Sequence, residues 1–185
     1  MNIKVTEVAN VYATECRSTG IMDWMQRTCS PSVPKNSRTA IMPHGEFFMR
    51  NAGGIRKHSG LIQIDIDAKM NPHVQDWAEM RDVMGMQPHV LCSSISASGA
   101  GIYVLVRIHR QLEKMGRNED EMKSIHRQWA ATAMGYVEDC ISEELKTEVV
   151  LDRKVSNNLA SLRFMGSDPD MWVNVCVEPL TESEL

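Results

Sequence analysis

The most informative alternation of apolar and polar positions lies at 61–67, where the chain reads Leu-Ile-Gln-Ile-Asp-Ile-Asp. Successive side chains point to opposite faces of a strand, so Asp65 and Asp67 share one face while Ile64 and Ile66 share the other. The apolar flanks predict a strand in the interior of a sheet. Two carboxylates on one face of such a strand repel each other, and burying either without a partner is costly. The pattern therefore indicates a bound cation, for which hard oxygen ligands favour Mg²⁺, Mn²⁺ or Ca²⁺; two solvated aspartates on an edge strand are the alternative.

Beyond this strand, the pattern predicts a regular order of helices and strands. Asn71 and Pro72 are residue types of a helix N-cap and first helical position, and apolar residues recur at helical spacing until Gly85. A second helical stripe runs from Met122 to Ile141. Further strands are predicted at 89–96, 102–108, 148–152, 162–165 and 172–177. The resulting β-α-β-β-α-β order is typical of a mixed α/β (α+β) domain of the ferredoxin-like, split βαβ type.

This topology makes a prediction about the surroundings of the two aspartates. Its first and third strands are central neighbours, and its helices cover one face of the sheet. We therefore expect Asp65 and Asp67 to lie beside Tyr103, Leu105 and Arg107 on an open face. That face is where chemistry would take place.

Length and charge limit the organisation of the chain. With 185 residues and 43% hydrophobic content, the chain is predicted to form one domain, with a flanking segment at 1–40 packed against the sheet edge and a core at 41–178. A net charge of −4 gives no overall basic field, so any nucleic-acid footprint is expected to be local. The candidate basic stretches are 50–57 and 107–117.

The cysteines, the histidines and the hydropathy exclude several other classes. The five cysteines are scattered and form no C-x-x-C pair, which argues against a zinc ribbon and a disulfide framework. The histidines show no metal-ligand spacing, and His58 is expected to be exposed. The sequence has no apolar run of 18 residues and no signal-peptide pattern, so we expect a soluble, cytoplasmic protein without a membrane partner.

A Ser/Gly-rich segment follows the second predicted strand. Ser96, Ser98 and Gly99 lie in the run Ser-Ala-Ser-Gly-Ala-Gly, which allows backbone amides and hydroxyls to approach an anion closely. Such a run alone usually just makes a turn. Next to a pair of carboxylates, however, it indicates a triphosphate site.

A third candidate segment comes near the end of the chain. Asp152 closes an apolar, β-prone run and is a candidate third metal ligand, while Arg163 is a candidate phosphate contact or an ordinary ion-pair residue. Carboxylates that hold two metal ions, a cradle for a triphosphate and nearby cations are the requirements of nucleotidyl transfer. The sequence therefore predicts a two-metal site for Mg²⁺ or Mn²⁺.

The order of these motifs resembles the archaeo-eukaryotic primase superfamily, and its primase–polymerase branch most closely. More narrowly, the run 43–47 leading into 58–67, with Asp-Pro-Asp at 168–170, is similar to VirE N-terminal-type domains. The resemblance covers roughly residues 40–178. Those domains often precede helicase modules in phages and mobile elements, so a replicative helicase is a further expected partner.

The resemblance implies an RRM-like palm core that polymerises nucleoside triphosphates on a single-stranded DNA template. The residues at the matching positions are Asp65, Asp67 and Asp152 for the metal ions, Ser96, Ser98 and Gly99 for the nucleotide loop, and Arg163 for the basic residue after the third motif. The function expected from it is a DNA primase or polymerase that makes or extends primers.

Two positions depart from the family pattern. Tyr103 stands where the family usually has a histidine that contacts the incoming phosphates, and Ala100 stands where a basic residue is common. Tyrosine has a hydroxyl to donate but no positive charge. Lys69, Arg107 and His109 are the candidates to compensate. A catalytically silent nucleotide- or nucleic-acid-binding module is therefore the alternative, followed by another palm-type enzyme such as a nucleotide cyclase or a nuclease.

Overall fold

The computed structural model describes residues 2–27, 30–108, 112–114 and 117–181. The strands are β1 Lys4–Val8, β2 Arg17–Gly20, β3 Ala40–Met42, β4 Gly45–Phe47, β5 Ile55–His58, β6 Leu61–Asp67, β7 Val90–Ile95, β8 Gly101–Arg107, β9 Leu112–Glu113, β10 Arg163–Phe164 and β11 Trp172–Val173. The helices are α1 Ile21–Met25, α2 Trp77–Gly85, α3 Glu119–Leu145 and α4 Arg153–Ser156. The fold is therefore mixed α+β, as the sequence predicts.

The central sheet has the strand order β11-β7-β8-β6. β6 and β8 are antiparallel over their whole length, from Leu61 opposite Arg107 to Asp67 opposite Gly101. Ile62, Ile64 and Ile66 point into an apolar core shared with α2 and α3. The predicted alternation of β6 and its pairing with the third strand of the core are confirmed. Its predicted place in the interior of the sheet is wrong, because β6 is the last strand in the order of this sheet.

The second face of this sheet is also covered, so the predicted open face is wrong. Leu61, Tyr103 and Leu105 are buried in a second core, with residues of β1, β3 and α1 on its other side. This second layer is the sheet β10-β3-β1-β2. Its strands are short and carry little periodicity, so the sequence pattern gave no sign that residues 1–40 pack on the face of the sheet, and the expected packing against its edge is wrong.

A third, smaller sheet has the order β4-β5-β9. Phe47 and Ile55 of this sheet form a separate apolar cluster with Met42 of β3 and Met122 of α3. Gly45 is required in β4, because a Cβ there would lie 2.2 Å from the carbonyl oxygen of Lys57. The small sheet therefore attaches the start of α3 to the rest of the fold.

The segment 148–152, predicted as a strand, is irregular. It lies beside the end of β6, where the Asp152 N–H donates to the Asp65 carbonyl over 3.0 Å. Asn71 takes the place of further strand pairing: its side chain accepts from the Val150 N–H and donates to the Val150 carbonyl, at 2.7 and 2.9 Å. A buried side chain therefore satisfies backbone groups that a ladder would otherwise pair.

The sequence suggested that Asn71 is a helix N-cap, and this prediction is wrong. Helix α2 begins at Trp77, and the Asp76 side chain caps it by accepting from the Glu79 N–H. The predicted strand 162–165 is reduced to β10, which joins β3 in the N-terminal layer. The predicted strand 172–177 is reduced to β11, which pairs with β7.

Helix α3 is the longest element, with 27 residues. It starts with a capping box in which the Asn118 side chain accepts from the Glu121 N–H and the Glu121 side chain accepts from the Asn118 N–H. No helix in the described part of the chain is both long enough and apolar enough to cross a membrane.

We predict that Gly101→Ala destabilises the fold by about 2–3 kcal/mol. Gly101 has a φ of +125°, and a Cβ there would lie 2.2 Å from the carbonyl oxygen of Ile66 on the neighbouring strand. Urea unfolding measures the difference. Gly135→Ala is the matched control, because a Cβ at this helical position meets nothing within 4 Å; it is expected to raise stability by up to about 1 kcal/mol. Equal stabilities of the two variants would contradict the prediction.

Candidate active site

One end of the central sheet brings the predicted site residues together. Asp65 lies opposite Tyr103 in the β6–β8 pairing, and Asp67 lies opposite Gly101. The turn between β7 and β8 therefore sits next to Asp67, and the Ala68 N–H donates to the Ala100 carbonyl across this end. We call this region the acid end of the sheet.

Asp65 is partly buried, and its carboxyl is largely removed from water. Its Oδ1 accepts one hydrogen bond, from Gln63 Nε2 at 3.0 Å. Burial raises the pKa of the Asp65 carboxyl, Arg163 and the Gln63 hydrogen bond offset part of that rise, and the negative charge of Asp152 adds to it. The ionised form of Asp65 therefore lowers the stability of the fold, and a bound cation would remove this loss of stability.

Asp152 interacts with Asp65 in two ways, by a backbone hydrogen bond and by the negative charge of its side chain. Its N–H is bonded to the Asp65 carbonyl, and its side-chain Oδ1 caps α4 by accepting from the N–H groups of Lys154 and Val155. Asp67 Oδ1 similarly accepts from the Lys69 N–H at 2.8 Å. Each carboxylate thus has one oxygen engaged in local structure.

As they stand, these acids are not gathered into a closed ligand set. Across the described ranges, no group of three or more His, Cys, Asp or Glu side chains is arranged to hold a metal ion. The acids nevertheless share one end of the sheet, and Asp65 and Asp152 are close enough for their charges to interact.

The Ser/Gly turn follows β7 directly. The hydroxyls of Ser96 and Ser98 lie 3.0 Å apart, and the Gly99 N–H donates to the Ser96 carbonyl at 2.9 Å. Gly99 has a φ of +75°, and a Cβ there would meet nothing within 4 Å. The turn is therefore closed by its own backbone and presents two hydroxyls at an open edge.

Arg163 is the buried cation of the acid end. Its guanidinium carbon lies 3.1 Å from the centre of the Tyr103 ring, and the residue is only 5% exposed. Its Nε and Nη2 have no hydrogen-bond partner among the described residues. Unpaired buried donors of this kind are costly, and an anion would satisfy them.

The Tyr103 hydroxyl is held by two sulfur atoms. The hydroxyl accepts from Cys92 Sγ and donates to Met171 Sδ, each at 3.4 Å. Burial raises the pKa of this phenol, so it remains neutral. What the tyrosine offers the site is the face of its ring, on which Arg163 is stacked.

Three residues are candidates to replace the positive charges that Tyr103 and Ala100 lack, and they differ in position. Arg107 lies at the opposite end of β8, four residues and roughly 13 Å along the strand from Tyr103, and donates to the Val177 carbonyl. Arg107 therefore lies far from the Ser/Gly turn and from Asp67. Lys69 is exposed beside Asp67. His109 lies outside the described residues.

Arg38 and Lys35 belong to this region and were not predicted from the sequence. Arg38 is buried and donates to four carbonyls from three places in the chain: Pro31 and Val33 in the preceding loop, Ala97, and Met165. Lys35 lies over the Phe164 ring at 5.2 Å, and its charge reaches Asp65. Both precede β3 in a loop without periodicity, so no local signal placed them here.

Asp168, in the Asp-Pro-Asp run at 168–170, has a structural position. Its side chain accepts from the Ile95 N–H at 2.7 Å and from Arg81 Nη1 at 3.2 Å. It therefore ties the loop before β11 to the last residue of β7, just before the Ser/Gly turn.

Comparison with protein families gives one match. The family described as BT4734-like, N-terminal domain, matches residues 34–172, which is well over half of the chain. The chain belongs to this family. Comparison with curated proteins and with solved structures gives no significant match. The matched part of this BT4734-like domain contains all the candidate site residues from Asp65 to Arg163, and it leaves out β1, β2 and α1, which cover the second face of the sheet.

The BT4734-like domain also contains a buried histidine cluster, consisting of His44, His58 and His126. All three are 0% exposed, so the expected exposure of His58 is wrong. The Gly60 N–H donates to His58 Nδ1, which leaves His58 Nε2 to donate to His126 Nδ1 at 3.1 Å. His44 receives the Gln63 N–H on Nε2 and donates from Nδ1 to the Leu159 carbonyl. Three neutral rings thus connect the residue before β4, the end of β5, the first half of β6 and α3.

Burial lowers the pKa of His44 to about 4 and that of His58 to about 3. It also lowers the pKa of His126, to which the neighbouring histidines add. The sequence could not reveal this cluster, because the three residues lie 14 and 68 positions apart and meet only through the pairing of β5 with β4 and the packing of α3.

Proposed function

We propose that this protein is a metal-dependent nucleotidyltransferase: a DNA primase or polymerase of the archaeo-eukaryotic primase type, with an RRM-like palm core. It would make or extend primers on single-stranded DNA during replication of a phage or mobile element. The proposal combines the resemblance of the three motifs with the geometry of the acid end.

A single observation carries most of the weight. Arg163, which is buried and has two donor nitrogens without a hydrogen-bond partner among the described residues, lies at the same end of the central sheet as Asp65 and the Ser/Gly turn. Acids that suit a divalent cation and a cation that suits a phosphate are what a nucleoside triphosphate with its metal ions requires.

The donor set fits Mg²⁺ or Mn²⁺. Asp65, Asp67 and Asp152 are hard oxygen donors, and each has lone pairs left after its observed hydrogen bonds. The raised pKa of Asp65 reflects a buried carboxylate near a second one, a charge arrangement that a divalent cation would neutralise. A metal pair held there would supply activation of the attacking hydroxyl and stabilisation of the leaving pyrophosphate.

The remaining residues would bind and orient the triphosphate. Arg163 would donate Nε and Nη2 to phosphate oxygens, held in direction by its stacking on Tyr103. Ser96 and Ser98 would add hydroxyl donors from the turn. Arg38 fixes the Ala97 and Met165 carbonyls to one guanidinium, so the turn and the residues after β10 keep their relative positions.

One observation favours the second candidate function, a catalytically silent module that binds nucleotide or nucleic acid. The Tyr103 hydroxyl is held by Cys92 and Met171, so it does not replace the phosphate contact of the family histidine. In the enzyme proposal, Arg163 supplies the positive charge that the family histidine would bring to the phosphates. In the silent module, Arg163 binds phosphate without turnover.

Primer extension tests the proposal. The purified chain is incubated with a primed single-stranded DNA template, mixed nucleoside triphosphates and Mn²⁺, and the products are sized on a denaturing gel. We expect extension that depends on template and is abolished by chelation of the metal. Triphosphate binding without any incorporation would support the silent module, and cyclised nucleotides or a nicked template would point to another palm-type chemistry.

Arg163→Gln is predicted to raise the KM for the triphosphate about tenfold or more with a smaller effect on kcat. Charge-assisted hydrogen bonds to a buried group contribute about 1.5–3 kcal/mol, and the amide retains size and polarity but loses the charge. Steady-state kinetics measure both constants. Arg17→Gln is the matched control at an exposed arginine on β2 and should leave both constants unchanged. An unchanged KM in Arg163→Gln would exclude the phosphate contact.

A further inference from the structure

A basic groove lies outside the acid end, between α3 and α4. Its polar lining consists of Lys123, Arg127, Lys154, Asn157 and Asn158. Ala52 and the buried Leu159 complete the lining, so no large exposed apolar side chain among the described residues faces it. The groove therefore presents cations and amides and has no surface suited to insertion into a lipid layer.

The positive charge of the groove is largely uncompensated. Lys123 forms an ion pair with Glu119 one turn earlier on α3. Neither Arg127 nor Lys154 forms a side-chain ion pair within the described ranges of the chain. In a chain with a net charge of −4, two free cations in one concave surface form a local positive patch against the overall field.

Helix α4 links the groove to the acid end. The Lys154 N–H donates to Asp152 Oδ1 at 2.9 Å, so the residue that caps α4 beside Asp65 is followed two positions later by a cation of the groove. Asn157 and Asn158 follow at the other end of the same short helix. An extended polyanion in the groove would therefore run towards the carboxylates.

We infer that this groove binds the phosphodiester backbone of a single-stranded DNA, with Arg127 and Lys154 as its main phosphate contacts. The inference rests on the proposed function and extends it by placing the template strand between α3 and α4. Backbone contacts by lysine and arginine carry no sequence information, which suits a protein that must accept any template.

The test is fluorescence anisotropy with a labelled 20-nucleotide oligo(dT), without triphosphate, at several salt concentrations. Arg127→Ala/Lys154→Ala is expected to weaken binding about tenfold or more and to reduce the slope of log K against log salt by about 1.4, since each phosphate contact on a single strand contributes about 0.7. Lys4→Ala/Arg17→Ala is the matched control: it removes two exposed cations from β1 and β2 and should change affinity less than twofold.

The outcomes separate this inference from the proposed function. In one outcome, Arg127→Ala/Lys154→Ala leaves the oligo(dT) affinity and the salt slope unchanged while the wild type extends primers. That result would overturn the groove as the DNA-binding site and would leave the enzyme proposal in place. Weakened binding in that variant, with no extension by the wild type, would support the groove in a silent binding module. Wild-type binding to phosphatidylserine vesicles but not to oligo(dT) would overturn the groove as a nucleic-acid site.

Discussion

Asp65→Asn/Asp67→Asn is expected to abolish nucleotide incorporation, with a loss of at least about a thousandfold, equivalent to about 4 kcal/mol of transition-state stabilisation. Asparagine keeps the shape and an oxygen acceptor for the Gln63 amide but removes both negative charges. The neutral pair would hold a divalent cation weakly, so the charge that develops on the transferred phosphoryl group would not be balanced. Primer extension with the purified variant measures the loss.

The fold of this variant should survive, which makes the result interpretable. The raised pKa of Asp65 means that its ionised form costs stability at neutral pH, so the neutral amide should leave the free energy of unfolding unchanged or increase it. Asp120→Asn/Asp139→Asn removes two exposed carboxylates from α3 and is the matched control, with wild-type extension expected. Extension by Asp65→Asn/Asp67→Asn at the wild-type rate would rule out the proposed enzyme.

Acidification from pH 7 to pH 5 is expected to destabilise the fold by about 4 kcal/mol through His44 and His58 alone. Histidines in the unfolded chain bind protons below about pH 6.5, whereas these two stay neutral in the fold down to about pH 4 and about pH 3. Protons therefore bind the unfolded chain preferentially, and each histidine costs roughly 2 kcal/mol at pH 5. This stability is present above pH 6.5 and falls as the pH decreases. His126 acts in the same direction, while Asp65, with its raised pKa, opposes it.

Urea unfolding at a series of pH values measures this dependence. Replacing one member of the cluster, as in His58→Gln, should reduce the slope of stability against pH even though the variant starts from a lower stability. His73→Gln, which removes an exposed histidine before α2, is the matched control and should keep the wild-type slope. A free energy of unfolding that is the same at pH 7 and pH 5 would contradict the prediction that His44, His58 and His126 stay neutral in the fold over this range.

The sequence predicted best what depends on local periodicity. The alternation at 61–67 gave β6, the apolar run and glycines gave β8, and the pairing of these strands followed from the core topology. Their register did not, because Leu105 lies opposite Gln63 and Arg107 opposite Leu61, not beside the two aspartates. The same reasoning failed at 148–152, because β-prone residues there pair with the Asn71 side chain instead of a strand. Local propensity does not reveal such a tertiary partner.

The candidate site was predictable to the same extent. Asp65, Asp152 and Arg163 were found by residue type and spacing, and the structure brings them to one end of the sheet. Arg38 could not be found, since its role depends on the Ala97 and Met165 carbonyls, which are 59 and 127 positions away in sequence. The stacking of Arg163 on Tyr103 was equally hidden, because β10 belongs to the N-terminal layer while Tyr103 belongs to the central sheet.

The two covered faces of the central sheet have a consequence for access. With α2 and α3 on one side and the N-terminal layer on the other, a molecule cannot reach Asp65 through either face of the sheet, and its route passes the tips of β6, β7 and β8 or the edge of β6 beside α4. The connecting segments at those tips then act as the walls of the entrance. Their length and composition, more than any residue of the sheet itself, would determine the size and shape of what is admitted.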